Sequence, residues 1–204
     1  MKFRMAKNSD VQNLARLHLS SGQNQEGGFM HTLGYRFLYV YYKELIKDID
    51  SIIVIAENEF DDVIGFVSGS CDAQKRLDNL KRKKFKFLFV IIPIVIKNPR
   101  IILSLLERNR FIRQDINAIK YGVTSGVRME YLAWSSENRS TSSLTLLKVW
   151  NQVVFSLGYN SIRGEVDLVN KGVLNIHKFL GARVVEELDT KDGRRRVIIE
   201  YTKN

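Results

Sequence analysis

Glu165-Val166-Asp167-Leu168-Val169-Asn170, followed by His177 and then by Leu180-Gly181-Ala182, is the stretch on which the fold turns. An apolar alternating run ends at an acid, and an Asn stands where a helix begins. Asn is a strong helix N-cap because its side-chain oxygen accepts an otherwise orphaned backbone N–H. Gly181 supplies the stop, since glycine tolerates the left-handed conformation that ends helices. The Asn side chain and the His ring two turns later can then both face a cleft beyond the strand ends.

Working outward, Ser161 to Val166 is the strand, Leu144 to Leu157 an amphipathic helix, and Val127 to Trp134 an earlier strand. Downstream, Arg183 to Glu187 and Arg195 to Thr202 read as a hairpin joined at Lys191-Asp192-Gly193. In the N-terminal half, Phe3 to Ala6 is a short strand and Asn8-Ser9-Asp10 offers caps for a helix to about Ser20. Ser21 to Gly28 is a loop, and Phe29 to Lys47 reads as one helix. Ser51 to Glu57 and Val63 to Ser70 form a second hairpin. The order β–α–α–β–β–(insertion)–β–α–β–α–β–β, with hairpins at both ends, predicts a mixed sheet covered by helices.

Composition narrows the function classes. The chain has 204 residues, 45% hydrophobic and 26% charged, with one Cys and two Pro. One domain over residues 1–204 is expected at that length. A single Cys excludes an internal disulfide framework and a Cys-rich zinc module, and fits a reducing compartment. The charged start MKFRMAKNSDVQNLA is unlike a secretory leader. No apolar run approaches the ~18–20 residues that span a bilayer. A cytoplasmic protein is therefore expected. The net charge of +10 is concentrated: residues 75–120 hold thirteen Lys and Arg against three acids, and the remainder balances at nineteen of each. Such a distribution is unlike the broad basic face of nucleic-acid binders, and no nucleic acid is expected as partner.

The Asp167-x-x-Asn170 start and the His177-x-x-Leu180-Gly181 end resemble the last helix of the GNAT superfamily, the acetyl-CoA-dependent N-acetyltransferases. Asn170, Leu180 and Gly181 match its pattern, whereas His177 stands where Tyr is usual and Ala182 where Phe is usual. Arg139-Ser140-Thr141-Ser142-Ser143-Leu144-Thr145 occupies the place of the family's Arg/Gln-x-x-Gly-x-Gly/Ala loop, with Ser142 for the first Gly and Leu144 for the small residue. Gly27-Gly28-Phe29 and Leu33-Gly34-Tyr35-Arg36-Phe37-Leu38, followed by a basic and apolar insertion, resemble a subset of the same family. The resemblance implies an α+β (mixed α/β/α) fold: a mixed, mostly antiparallel twisted sheet flanked by helices, with a helical insertion at about 73–121.

The resemblance also implies chemistry. The enzyme would be an acyltransferase moving an acetyl group from acetyl-CoA, without a metal, to a primary amine of a small molecule such as an amino sugar. Arg139 to Thr145 and Asn170 would hold the coenzyme, and Leu132 and Trp134 would lend backbone groups to its pantetheine arm. His177 would be the general acid, since an imidazole can donate near pH 7; the alternative is a helix His packed on the sheet. Glu130 is the candidate base, or else an exposed strand-end Glu. Glu26 and His31 lie where the family shapes its acceptor pocket, while His18, on an apolar helix face, reads as a core residue.

The insertion carries a separate question. Lys81-Arg82-Lys83-Lys84-Phe85-Lys86 runs into the apolar Phe87 to Ile96, suiting peripheral contact with an anionic membrane or a homodimer through 75–120. Pro93 is expected to break that helix. The segment is expected to fold as a helical hairpin, pairing with Ile101 to Leu106 and burying Phe87, Val90, Ile91, Ile94 and Val95 against protein. Two other functions stay open: a non-catalytic protein of the same fold, and a basic membrane- or RNA-binding adaptor acting through 75–120.

Overall fold

A computed structural model describes residues 1–22, 29–99, 125–138, 141–189 and 195–203. Among the described residues, seven strands form one sheet: β1 (Lys2–Met5), β2 (Ser51–Glu57), β3 (Val63–Ser70), β4 (Arg128–Trp134), β5 (Ser161–Asp167), β6 (Arg183–Asp189) and β7 (Arg195–Thr202). Their order is β1-β2-β3-β4-β5-β7-β6. Neighbours run antiparallel except β4 and β5, which are parallel. The mixed, mostly antiparallel sheet flanked by helices is the expected architecture.

β2 and β3 are buried on both faces, as their near-continuous apolar sequences require. On one face lie α1 (Val11–Gly22), α2 (Phe29–Thr32) and α3 (Gly34–Ile46). Leu14, Leu38, Tyr42 and Leu45 meet Ile53, Ile55 and Phe66 there. On the other lie α6 (Ser142–Ser156) and α7 (Lys171–Phe179), whose Leu146, Leu147, Trp150, Val154 and Leu174 meet Ile52, Val54 and Val67. Trp150 pins α6 to the sheet through an Nε1–H bond to the Ile52 carbonyl at 3.1 Å. Gly69 makes the room: a Cβ there would overlap the Trp150 ring and lie 2.5 Å from the Arg128 carbonyl.

The expected single helix over 29–47 is two, because Gly34 takes φ +73° and turns the chain between α2 and α3. The insertion begins as α4 (Ala73–Arg82) and α5 (Lys84–Lys97). Asp72 caps α4 by accepting from the Lys75 N–H at 3.0 Å. Contrary to expectation, α5 runs through Pro93. Proline removes the N–H that would meet the carbonyl of Phe89, one turn earlier. Both residues are exposed, so water can satisfy that carbonyl and the helix survives. Four of the five residues expected on the buried face, Phe87, Val90, Ile91 and Ile94, pack with Leu33 and Phe37, and Val95 lies outside that cluster. The expected partner stripe Ile101 to Leu106 and the turn at 191–193 lie outside the described residues.

Two histidines are buried with tyrosine partners. His18 Nδ1 lies 2.6 Å from the Tyr42 hydroxyl, and its ring stacks on Tyr131 at 3.7 Å between centroids. His177 Nδ1 lies 2.7 Å from the Tyr201 hydroxyl. Burial pushes both imidazoles down to about 4, with the nearby His31 adding to the effect at His18. Arg76 on α4 is likewise buried, donating to the Ser51 hydroxyl at 2.6 Å and to Glu130 at 2.8 Å.

These contacts set two expectations. The unfolded chain binds a proton at each histidine near pH 6.5 and the native chain only near 4. Native stability is therefore full above about pH 6.5 and falls as pH drops toward 4, by roughly 3 kcal/mol per histidine over the window. Urea midpoints measured from pH 7 to pH 4.5 should fall steadily; a level profile would mean that the rings reach solvent. Arg76→Met should cost about 3 kcal/mol, because it strands the Glu130 carboxylate beside α4. Adding Glu130→Gln should return part of that loss in a double-mutant cycle read by thermal melting.

Candidate functional site

The parallel pair at the centre of the sheet does not stay together. β4 and β5 pair at Arg128↔Arg163 and Met129↔Gly164, and there the ladder ends. β4 continues to Trp134 and β5 to Asp167, so the strands diverge toward their C-terminal ends and open a wedge in the sheet. The other edge of β4 remains paired to β3 as far as Gly65↔Trp134. That pairing slips between Ser68 and Gly69, which leaves Glu130 as the extra residue of a bulge. Bulges re-aim side chains and concentrate next to functional sites.

Both diverging strands lead into helices on the same face. β4 passes through a short 3-10 turn, Ser136–Asn138, to α6, and β5 passes to α7. A crevice at the carboxyl ends of parallel strands, where helices start, is the place where such sheets take ligands. Helix starts carry partial positive charge and backbone N–H donors suited to phosphate.

Those of the expected coenzyme residues that the structure describes lie on β4 and at the two helix starts. The side chains of Leu132 and Trp134 pack toward α6, with the Trp134 indole donating to the Asn138 carbonyl at 2.6 Å. This leaves the main chain of β4, rather than those side chains, along the open edge. Thr141 stands at the N-cap of α6, and Ser142, Ser143, Leu144 and Thr145 form its first turn. Asn170 caps α7, its side chain accepting from the Val173 N–H at 3.3 Å, which is the local role read from the sequence. Arg139, Ser140 and Glu26 lie outside the described residues.

The two residues expected to do proton chemistry are both engaged by other side chains. His177 is on the sheet-facing side of α7, 4% exposed and engaged by Tyr201. With its acidity set near 4 by burial, the ring is neutral at pH 7, which fits the alternative of a helix His packed on the sheet. Ala182 lies beside it in the core, and its N–H bonds to the His177 carbonyl at 2.9 Å as the helix closes at Gly181. Glu130 points to the opposite face. One of its oxygens accepts from Arg76 at 2.8 Å and from the Tyr41 hydroxyl at 3.4 Å. The exposed strand-end reading does not describe it: this carboxylate ties α4 to the bulge.

His31 lies on α2, and its Nε2 is buried with no hydrogen-bond partner among the described residues. His18 is the core residue expected. Tyr131, next to the bulge, is the residue that sequence reasoning missed. Its hydroxyl lies 3.1 Å from Ser21 Oγ at the end of α1, so it joins β4 to the loop side of the molecule. The alternation of Tyr131 with Leu132 was the available signal, since it put the two on opposite faces.

The sequence matches no family model and no curated protein. Solved structures match over nearly their whole length. An acetyltransferase of the GNAT family from Streptococcus pneumoniae is 9% identical, with 100% of this chain and 99% of that one covered and a TM-score of 0.61. Aminoglycoside 6'-acetyltransferase type Ii is 15% identical, with 99% and 97% covered and a TM-score of 0.60. The protein yncA from Salmonella typhimurium, solved with its cofactor acetyl-CoA, is 10% identical, with 100% and 94% covered and a TM-score of 0.60. With two-way coverage this complete and the same mixed sheet, the chain has the fold of the GNAT acetyltransferases.

Proposed function

We propose that the protein transfers an acetyl group from acetyl-CoA to a primary amine of a small molecule. The observation that carries the proposal is the ladder that stops at Met129↔Gly164 while both strands run on to helix starts. An open strand edge can hydrogen-bond an extended chain as an added strand would. The main chain of Leu132 and Trp134 therefore holds the amide-bearing pantetheine arm, and Arg139 with the first turn of α6, Thr141 to Thr145, receives the pyrophosphate. Asn170 flanks the other wall. The hydroxyls of Ser140, Thr141, Ser142 and Ser143 add donors, with Ser142 standing where the family's first Gly is usual.

Acetyl-CoA supplies a thioester, whose carbonyl carbon is open to attack by an amine and whose thiolate leaves. A β4 backbone N–H aimed at the carbonyl oxygen stabilises the charge that develops there. The amine must arrive as the free base, from the face of β4 that carries Tyr131 and lies toward α1 and α2. His31 on α2 belongs to that acceptor side, and Glu26 is assigned to the same acceptor role. An aminoglycoside acetyltransferase among the structural neighbours supports an amine acceptor of this size. The second reading, a non-catalytic protein of this fold, draws on Leu144, a bulky residue where close approach of backbone to phosphate is wanted.

Two experiments bear on these assignments. Calorimetric titration should show acetyl-CoA binding, and Arg139→Glu should weaken it by roughly 1–3 kcal/mol, the worth of a charge-assisted contact. Unchanged affinity would remove Arg139 from the site, and no binding by the unaltered protein would favour the non-catalytic reading. With an accepting amine found by thiol release, His177→Phe should keep turnover within a few-fold and lower the melting temperature, as a neutral core residue would. A fall of about 10²–10⁴ in turnover with coenzyme affinity intact would instead make His177 the proton donor.

A further inference from the structure

α5 is apolar on two sides, and α3 covers only one of them. Phe87, Val90, Ile91 and Ile94 pack inward, whereas Phe85, Leu88, Phe89, Ile92 and Ile96 face out, with Phe89 77% and Ile96 75% exposed. The outward residues follow helical spacing, so they make one continuous stripe along the helix. Exposed apolar stripes of this kind mark surfaces that bind something.

The surrounding charge says what. α5 contains no acidic residue. Lys83 and Lys86 are taken up by Glu44 at 3.1 and 2.8 Å, and Lys75 by Asp50 at 2.9 Å. Lys84 lies over the Phe85 ring at 5.4 Å, at the head of the stripe, and Arg82 and Lys97 have no ion-pair partner among the described residues. The stripe is thus bracketed by cations at both ends. A second copy of the chain would bring two segments of net charge +10 together, which repel. An anionic surface is attracted by the same charges.

We infer that α5 is an interfacial anchor that lies flat on an anionic lipid surface, with Phe85, Leu88, Phe89, Ile92 and Ile96 in the acyl boundary and Arg82, Lys84 and Lys97 at the headgroups. Its length supports lying rather than crossing: no described helix is long and apolar enough to span a membrane. An amphipathic helix with apolar residues below and basic residues at the headgroup level binds by both terms together.

Flotation of the whole protein with phosphatidylcholine vesicles, with and without phosphatidylglycerol, tests this. Capture should require phosphatidylglycerol and fall as salt rises, since surface charges are screened. Lys84→Ser and Lys97→Ser should each lower partitioning roughly fivefold. Phe89→Ser with Ile96→Ser, both exposed and clear of α3, should lower it tenfold or more while leaving the melting temperature unchanged. Absence of capture overturns the inference. Capture indifferent to phosphatidylglycerol, or indifferent to the Phe89 and Ile96 substitutions, overturns it as well. So does sedimentation as a dimer that Phe89→Ser and Ile96→Ser convert to a monomer, which would assign the stripe to a second copy.

Discussion

The molecule is organised around two parallel strands that part company. A sheet gains from continuing its ladder, because every backbone N–H and C=O left unpaired and buried costs free energy. Ending the pairing of β4 and β5 at Met129↔Gly164, in the middle of the sheet, therefore needs structure on either side to hold the two halves in place. The N-terminal half is fastened by two layers of helix over β2 and β3. The C-terminal half is fastened by the long antiparallel pairing of β5 with β7, from Ser161↔Thr202 to Asp167↔Arg196. Between these two stable units the wedge is the place where main-chain groups can remain available to a ligand.

The packing at the seam is correspondingly specific. Trp150 reaches from α6 under Gly69 to the Ile52 carbonyl, so one helix grips both β2 and β3 next to the bulge. On the opposite face Tyr131 stacks on His18, which bonds to Tyr42. β4 is clamped by aromatic side chains from both layers, and it can run along an open edge without losing its place. Neutral buried histidines serve in that role because each ring offers apolar faces and a nitrogen for a tyrosine hydroxyl.

The parts of the fold governed by local rules were legible in the sequence. Asn170 and Gly181 announced a capped helix, and the apolar runs at 51–57 and 63–70 announced a hairpin whose pairing the structure shows. Residues whose role depends on distant partners were not. Nothing in the run of cations after Cys71 marks Arg76, rather than Lys75 or Arg82, as the one buried against Glu130, which lies 54 positions away. For the same reason Glu130 read as a candidate base or an exposed strand-end Glu, with no sign of its ion pair to Arg76. His177 matched a catalytic position by spacing, but spacing does not tell whether a ring is wet or dry, and Tyr201 comes from the end of the chain. Pro93 read as a breaker because the rule assumes a dry helix, and here the carbonyl it leaves unbonded faces water.

The insertion is more than an appendage on this frame. It leaves directly from β3, and Arg76 on its first helix holds the bulge of β4, the strand that lines the wedge. Its second helix sits on α3 through Phe37 and Phe87, with ring centroids 5.6 Å apart, while Glu44 of α3 receives two of its lysines. α3 in turn carries Tyr41 and Tyr42, which touch Glu130 and His18. A contiguous chain of packed side chains thus runs from the inner face of α5 to β4. Glu44, Asp50 and Glu130 of the body meet cations of α4 and α5, so that positive charge is partly neutralised where these helices dock, while Lys84 and Lys97 on the outer side have no ion-pair partner among the described residues. Charge left on the outer face, beside an apolar stripe, contributes nothing to holding the helix down; its physical consequence is attraction toward whatever anionic surface the protein meets.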